Sequence, residues 1–221
     1  MCGRFVLIAD PNLIQQEFNL SAAPDMAMRY NIAPTQTLPV IINDKADEVS
    51  YLRWGLVPSW AKDAAGAAKM NNARSETAAE KPSFRTPFKR RRCLIPASGF
   101  YEWQVREKGK APMFIHLKNR EVFGMAGLWD VWRSPEGEEL RTFSILTTDG
   151  NDFMQPIHDR MPVILRREDY ALWLSTDDVP VDKLKALMKP YDSSDMTAYE
   201  VSKVVNNARM DTPECIAPLA S

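Results

Sequence analysis

Residues 112–148 read PMFIHLKNREVFGMAGLWDVWRSPEGEELRTFSILTT, and this stretch decides the fold class. It contains three apolar or alternating runs, at 113–117, 122–127 and 142–147. Pro, Gly, Asp and Asn residues bound these runs, and such residues favour turns. Short runs of this kind predict β-strands.

The pattern continues outside this stretch. Further strands are predicted at 4–8, 38–42, 49–54 and 93–95. Asp10 and Pro11 suit a helix start, and helical periodicity recurs at 83–89, 168–174 and 181–188. The polar stretch at 191–197 is predicted to be a flexible connection. We therefore expect an α+β fold, a single sheet-rich domain over residues 1–221 with a mixed or antiparallel, barrel-like core and a few flanking helices.

The composition excludes several protein classes. The chain has 221 residues, 45% of them hydrophobic and 26% charged, with a formal net charge of -1. Any contact with nucleic acid must therefore come from a local basic patch. The few cysteines and histidines are scattered, so we expect no metal and no organic cofactor. No apolar run approaches the roughly 18 residues of a membrane span, and we expect a cytoplasmic protein.

The N-terminus, Met1-Cys2-Gly3-Arg4, carries a distinctive chemistry. A small residue at position two permits removal of Met1, which leaves an amine and a thiol on adjacent carbons. The α-amine has a pKa of about 7.7 to 8.0, so part of it is neutral near pH 7 and can attack an aldehyde. The thiol can then close the imine into a five-membered thiazolidine. The alternative is that Cys2 is simply a buried cysteine, and Cys2 alone does not decide between the two.

A polar and basic segment lies in the middle of the chain. It contains Asn72, Arg74 and Arg85, and then four consecutive basic residues that end with Arg92. Asn offers donors and an acceptor, and Arg offers a planar fork that matches phosphate oxygens, so the segment could grip a nucleic-acid backbone. For the first two of the four basic residues, a solvated surface is the favoured interpretation.

Glu102 and His158 are the candidate proton carriers. Glu102 lies between aromatic residues, and partial desolvation raises the pKa of a carboxyl group and suits it to proton transfer with an amine. His158 lies in a polar turn, where it either protonates a leaving sugar oxygen or is a hydrogen-bonded structural residue. His116, on a predicted strand, is interpreted as structural.

Two tryptophans lie on either side of a turn that contains Gly55 and Pro58. Trp54 ends a predicted strand, and core packing is the favoured interpretation for it. Trp60 is left open between core packing and stacking on unpaired bases, which stabilises binding by about 1–3 kcal/mol for each base.

Together these residues resemble the SOS-response-associated peptidase family, whose members sense and shield abasic sites in single-stranded DNA. The matching segments cover nearly the whole chain: 1–5 (MCGRF), 29–34 (RYNIAP), 54–60 (WGLVPSW), 72–77 (NARSET), 92–96 (RCLIP), 99–103 (GFYEW) and 158–162 (HDRMP). The resemblance implies a sheet-rich domain with a positively charged groove.

The resemblance also implies roles for individual residues. After loss of Met1, Cys2 would form a thiazolidine with the ring-opened deoxyribose aldehyde, and Asn72 would hold the crosslinked residue. Glu102 would transfer protons at the amine, and His158 would help to open or protonate the sugar. The family is a thiol autopeptidase, and a transient imine would add weak lyase activity. Contacts with DNA are expected from Arg4, Arg74, Trp60, Arg85 and Arg92.

Two other functions remain open on the sequence alone. An N-terminal-nucleophile glutamine amidotransferase also begins Met-Cys-Gly and uses its free amine as a base. A non-covalent single-stranded DNA-binding module would leave Cys2 without a role. For the favoured function, the expected partner is single-stranded DNA with abasic sites. We expect a monomer without an obligate protein partner, associated with the nucleoid when on DNA.

Overall fold

The computed structural model describes residues 2–219 and is rich in β-sheet. Its strands are β1 Phe5–Leu7, β2 Arg29–Ile32, β3 Thr37–Ile42, β4 Lys45–Trp54, β5 Asn72–Arg74, β6 Arg92–Ala97, β7 Gly99–Arg106, β8 Gly109–Leu117, β9 Phe123–Arg133, β10 Glu139–Asp149, β11 Arg160–Pro162 and β12 Met196–Glu200. Its helices are α1 Pro11–Phe18, α2 Ser75–Ala78, α3 Arg85–Arg90, α4 Tyr170–Trp173 and α5 Val181–Leu187. Short 3-10 turns lie at Ala67–Met70, Arg167–Asp169, Ser193–Asp195, Lys203–Asn206 and Pro213–Ile216.

Five of these strands close into a ring, in the order β10, β4, β3, β6, β9 and back to β10. Antiparallel pairing reverses the chain direction at each step, so a ring with an odd number of strands must contain at least one parallel pair. That pair joins β4 to β10, with Arg53 opposite Thr142. The other pairs are antiparallel, and the stretch at 112–148 supplies the β9–β10 hairpin. The predicted barrel-like core is confirmed.

The N-terminal strand lies inside a second sheet, whose order is β12, β8, β7, β1 and β2. Phe5 pairs with Ile32 of β2 on one side and with Phe100 of β7 on the other. The ladder continues beyond β1, because the Tyr101 amide donates to the Arg4 carbonyl at 3.0 Å. This bond holds the backbone of Arg4 beside β7.

Two short strands extend the ring at the end of β10. Strand β5 pairs with β10 in parallel, with Asn72 opposite Ile145. Strand β11 pairs with β10 antiparallel, with Pro162 opposite Thr147. Asn72 and the turn that precedes β11 are therefore brought to the same end of β10.

The predicted helices are present at the expected places. The Asp10 carboxylate caps α1 by accepting the Asn12 amide at 2.8 Å. The patterns at 83–89, 168–174 and 181–188 correspond to α3, to a 3-10 turn followed by α4, and to α5. Within residues 2–219, none of the helices combines the length and the apolar character needed to cross a membrane.

The segment at 191–197 is not the flexible connection that its polar composition predicts. Asp192 caps a 3-10 turn at Ser193–Asp195, and Met196 then begins β12 opposite Leu117. Met196 is 1% exposed. A single buried methionine anchors the polar stretch, which is why the average polarity of the segment gave the wrong prediction.

Trp54 belongs to the core, as predicted. It is fully buried and packs on Phe5 and Phe143, with ring centroids 5.2 Å and 6.3 Å away. Its indole N–H donates to the Asn71 carbonyl at 2.8 Å. The core thereby fixes the residue that precedes Asn72.

Arg92 braces the core and does not contact DNA. Its side chain is 1% exposed. Its guanidinium donates to the backbone carbonyls of Trp173 at 2.8 Å and Phe88 at 3.0 Å, and to those of Lys89 and Ser175. These bonds tie β6 to α3 and to the end of α4. The expectation that Arg92 contacts DNA is wrong, because phosphate cannot reach a buried guanidinium whose donors are used within the fold.

We expect Arg92→Met to lower the free energy of unfolding by about 3 kcal/mol, because the buried carbonyls lose a charged donor. Urea unfolding followed by tryptophan fluorescence measures this change. The exposed Arg90 is the matched control, and Arg90→Ala should change stability by less than about 0.5 kcal/mol. Equal stability of Arg92→Met and the unsubstituted protein would contradict the bracing role.

Candidate functional site

Cys2 lies buried beside the second sheet, close to Glu102. Burial raises the pKa of its thiol well above the ordinary value, and the negative charge of Glu102 raises it further. The thiol points towards the Arg4 carbonyl, with 3.9 Å between Sγ and the oxygen. The thiol is therefore protonated near neutral pH, and its reaction requires a base to remove the proton.

Asn72 holds the backbone of Cys2. Its Nδ2 donates to the Cys2 carbonyl at 2.7 Å. Its position is fixed from behind, because the preceding Asn71 carbonyl accepts both the Trp54 indole and the Ile145 amide. Within residues 2–219, no donor lies in hydrogen-bonding distance of its buried Oδ1. The side chain thus fixes Cys2 and retains an acceptor for a further group.

Glu102 is a buried carboxyl group on β7, 3% exposed. Burial raises its pKa above the ordinary value, and the neighbouring His158 partly opposes that shift. A carboxyl group with a raised pKa exchanges protons more readily near neutral pH. The expectation drawn from its aromatic neighbours, that desolvation raises the pKa of Glu102, agrees with its burial.

His158 faces Glu102 from the turn before β11. Its Nε2 lies 3.9 Å from Glu102 Oε2. The Arg160 amide donates to its Nδ1 at 2.9 Å, and Asp159 Oδ1 lies 2.8 Å from the same nitrogen. The two contacts need different forms of the imidazole, because Nδ1 accepts from the Arg160 amide only when it is unprotonated and donates to Asp159 only when it carries a proton. In either form, Nε2 is the ring nitrogen that faces the buried carboxyl group of Glu102.

Four residues predicted from the sequence as the reactive set are therefore brought together. They come from four places, namely the residues before β1, strand β7 of the same sheet, strand β5 beside β10, and the turn before β11. The set contains Cys2, Asn72, Glu102 and His158. No group of three or more His, Cys, Asp or Glu side chains suited to a metal ion occurs in the described part of the chain.

The residues predicted to contact DNA differ in their availability. Arg74 lies two residues beyond Asn72 on β5, so both side chains point to the same face, and Arg74 is exposed. Arg85 is also exposed, and Trp60 is 65% exposed. Arg4 is half-buried and donates to Asn31 Oδ1 and to the Val205 carbonyl, each at 2.7 Å. Contact of these residues with DNA stays a prediction.

Two residues that support this set were not predicted from the sequence. Arg160 donates from Nη1 to Glu76 and to Asp149, each at 2.7 Å, and so ties β11 to α2 and β10. Asn31 is fully buried and accepts from Arg4. Arg160 lies in the matching segment 158–162 and Asn31 in the segment 29–34. Their place in these segments was the one sequence feature that could have indicated a supporting role.

The chain is similar to known proteins over most of its length. The family model described as SOS response associated peptidase matches residues 1–208. The abasic site processing protein YoqW of Bacillus subtilis (strain 168) is 46% identical over 221 residues, covering 98% of this chain and 99% of its own. The abasic site processing protein HMCES of Rattus norvegicus is 37% identical, over 86% of this chain and 64% of its own.

A solved structure has the same fold. The crystal structure of a protein from Bacteroides thetaiotaomicron matches with a TM-score of 0.90 at 30% identity, covering 99% of this chain and 100% of that chain. The family match extends over most of the sequence, and the reactive set lies within it. The chain therefore belongs to the SOS response associated peptidase family.

Proposed function

We propose that this protein captures abasic sites in single-stranded DNA covalently, through the amine and thiol that Cys2 presents once Met1 is removed. The observation that carries the proposal is the hydrogen bond from Asn72 to the Cys2 carbonyl, next to the pair formed by Glu102 and His158. The names of the relatives support it, because YoqW and HMCES are both called abasic site processing proteins.

The first chemical step is addition of the amine to the sugar aldehyde. The neutral amine of Cys2 forms a bond to C1′, and a proton moves from nitrogen to the former aldehyde oxygen. Glu102 carries a second proton to that oxygen so that water leaves and an imine forms. His158 assists earlier: in its protonated form it donates the Nε2 proton to the ring oxygen as the sugar opens, while the C1′ hydroxyl gives up its own proton to solvent and becomes the aldehyde.

The second step closes the ring. The sulfur of Cys2 bonds to the imine carbon, and the thiol proton passes to the imine nitrogen. The overall reaction joins aldehyde and aminothiol into a thiazolidine and releases one water. Glu102 is suited to accept and return the thiol proton, since its charge acts on the thiol and its own pKa is raised by burial. The product lacks the aldehyde that drives β-elimination, so the strand is shielded.

Two further activities follow from the same groups. In autopeptidase action, the Cys2 thiol adds to the Met1 carbonyl, the bond to nitrogen breaks, and water hydrolyses the resulting thioester. Met1 lies outside the described residues, and this step rests on the family's peptidase chemistry. In lyase action, a transient imine undergoes β-elimination before the ring closes, which cuts a small fraction of strands.

We expect a monomeric protein that acts in the cytoplasm on nucleoid DNA.

Mixing the purified protein with a single-stranded oligonucleotide that carries one abasic site should give a band that survives a denaturing gel. The band should be absent for Cys2→Ala, because alanine retains the amine but cannot close the thiazolidine, and an open imine hydrolyses. Intact mass should show a protein without Met1 and an adduct lighter than the sum of the reactants by one water.

Two outcomes would redirect the assignment. Suppose that Cys2→Ala and the unsubstituted protein retain the DNA equally, and that both lose it on denaturation. The protein is then a non-covalent single-stranded DNA-binding module. If correctly processed protein gives no adduct but releases ammonia from glutamine, the amidotransferase alternative is correct.

Glu102→Gln should slow crosslinking about 100-fold, because the amide cannot shuttle protons. The same change should raise the free energy of unfolding near neutral pH by about 1 kcal/mol. The raised pKa of Glu102 means that its protonated form favours the folded state, and that contribution is lost as pH rises through the folded pKa. The stability gap between the two proteins should therefore widen from pH 4.5 to 8 in urea unfolding. The exposed Glu107→Gln is the control, and an equal gap for both variants would refute the assignment.

Arg74→Ala should weaken non-covalent binding of single-stranded DNA and reduce its salt dependence. Loss of one phosphate contact should lower the slope of log affinity against log salt by about 0.7. Titrations at several salt concentrations measure the slope, with the exposed Lys183→Ala of α5 as the control. An unchanged slope for Arg74→Ala would remove this residue from the DNA path.

A further inference from the structure

Residues 202–211, which we name the C-terminal strap, run beside the N-terminal strand. The strap begins with a 3-10 turn at Lys203–Asn206, where Ser202 Oγ accepts the Val204 amide. The reactive set contains no residue of the strap. Nevertheless, the strap contacts two residues close in sequence to that set. They are Arg4, two residues after Cys2, and Trp103, the residue after Glu102.

Buried polar groups of β2 fix the backbone of the strap. Asn31 Nδ2 donates to the carbonyls of Val205 at 3.1 Å, Asn207 at 3.1 Å and Met210 at 2.6 Å. The Asp211 carboxylate accepts the Asn31 amide at 3.0 Å. Asn31 is fully buried, so its donor amide group is shielded from water. The backbone on both sides of residue 206 is thus held in one place.

Asn206 uses this fixed backbone to contact both neighbours of the reactive set. Its Oδ1 accepts the Trp103 indole N–H at 2.7 Å, and its carbonyl accepts Arg4 Nη2 at 3.4 Å. The Arg4 guanidinium also lies 5.9 Å from the centre of the Trp103 ring. Asn206 itself is exposed, so its side chain adds little to the core.

We propose that Asn206 is a positioning residue for DNA binding, which fixes the Trp103 indole and the Arg4 guanidinium as one preformed surface for the unpaired strand. The inference rests on the proposed function, because it takes single-stranded DNA as the ligand. The indole has two χ angles, and a hydrogen bond to its N–H selects one orientation of the ring. An aromatic ring and a cation that are already in place bind without the cost of ordering them.

The test measures binding and chemistry separately. Binding uses a single-stranded oligonucleotide with a tetrahydrofuran abasic analogue, which has no aldehyde and cannot crosslink. Asn206→Ala should raise the dissociation constant about fivefold, the effect of losing one hydrogen bond. In crosslinking to aldehyde-bearing DNA, the half-saturating concentration should rise by a similar factor, while the maximal rate should fall less than twofold.

A double-mutant cycle shows whether Asn206 acts through the indole. In a Trp103→Phe background, which removes the N–H donor, Asn206→Ala should have no further effect on the dissociation constant. The matched control is Asn207→Ala, because Asn207 is also an exposed strap residue but its Oδ1 caps the Arg209 amide instead. It should bind the analogue like the unsubstituted protein. Thermal unfolding should show that Asn206→Ala is as stable as this control.

Each outcome separates the inference from the proposed function. Unchanged binding by Asn206→Ala overturns the inference, and so does an equal loss with and without the indole N–H, which would mean direct contact with DNA. In both cases a Cys2-dependent adduct in the unsubstituted protein leaves the proposed function intact. Absence of that adduct overturns the proposed function instead.

Discussion

The hydrogen bonds that hold the N-terminal strand between β2 and β7 are the constraint on which the site depends. A chain terminus is ordinarily poorly ordered, and a nucleophile placed there has no fixed partner. Here the Tyr101 amide binds the Arg4 carbonyl and Asn72 binds the Cys2 carbonyl, so the backbone of Cys2 and Arg4 is fixed by hydrogen bonds to two different strands. The closed ring then supplies β5 and β11 at one end of β10.

This arrangement lowers the stability of the fold at one position. Glu102 is a carboxyl group in a buried environment, and its raised pKa records the preference of that environment for the neutral form. In the proposed reaction, the same burial would protect an imine from competing hydrolysis and make a proton available near neutral pH. A residue selected only for stability would be apolar there. The proposed proton transfer is a physical reason for a carboxyl group at this buried position.

The sequence was informative wherever a local rule applies. The cap at Asp10 and the alternating runs of the ring were predictable, and the four candidate residues within the matched segments lie together, while their reactive roles stay a prediction. Burial was harder to predict, because it depends on distant partners: Arg92 ends a basic run yet is enclosed by α3 and α4, and Met196 anchors a polar stretch. The supporting bonds of Asn31 and Arg160 link segments far apart in the chain, and no periodicity reports them. The extent of the single domain stays a prediction.

The pairing of β1 with β7 also determines when, during synthesis, the N-terminal strand can enter its sheet. The N-terminal strand leaves the ribosome first, but its partner at Gly99–Arg106 is made about a hundred residues later. At 5–20 residues per second, the start of the chain stays unpaired for about 5–20 s. Until then the Cys2 thiol is accessible, and afterwards it is enclosed. A reagent or enzyme that acts on this thiol therefore has a limited period on the nascent chain.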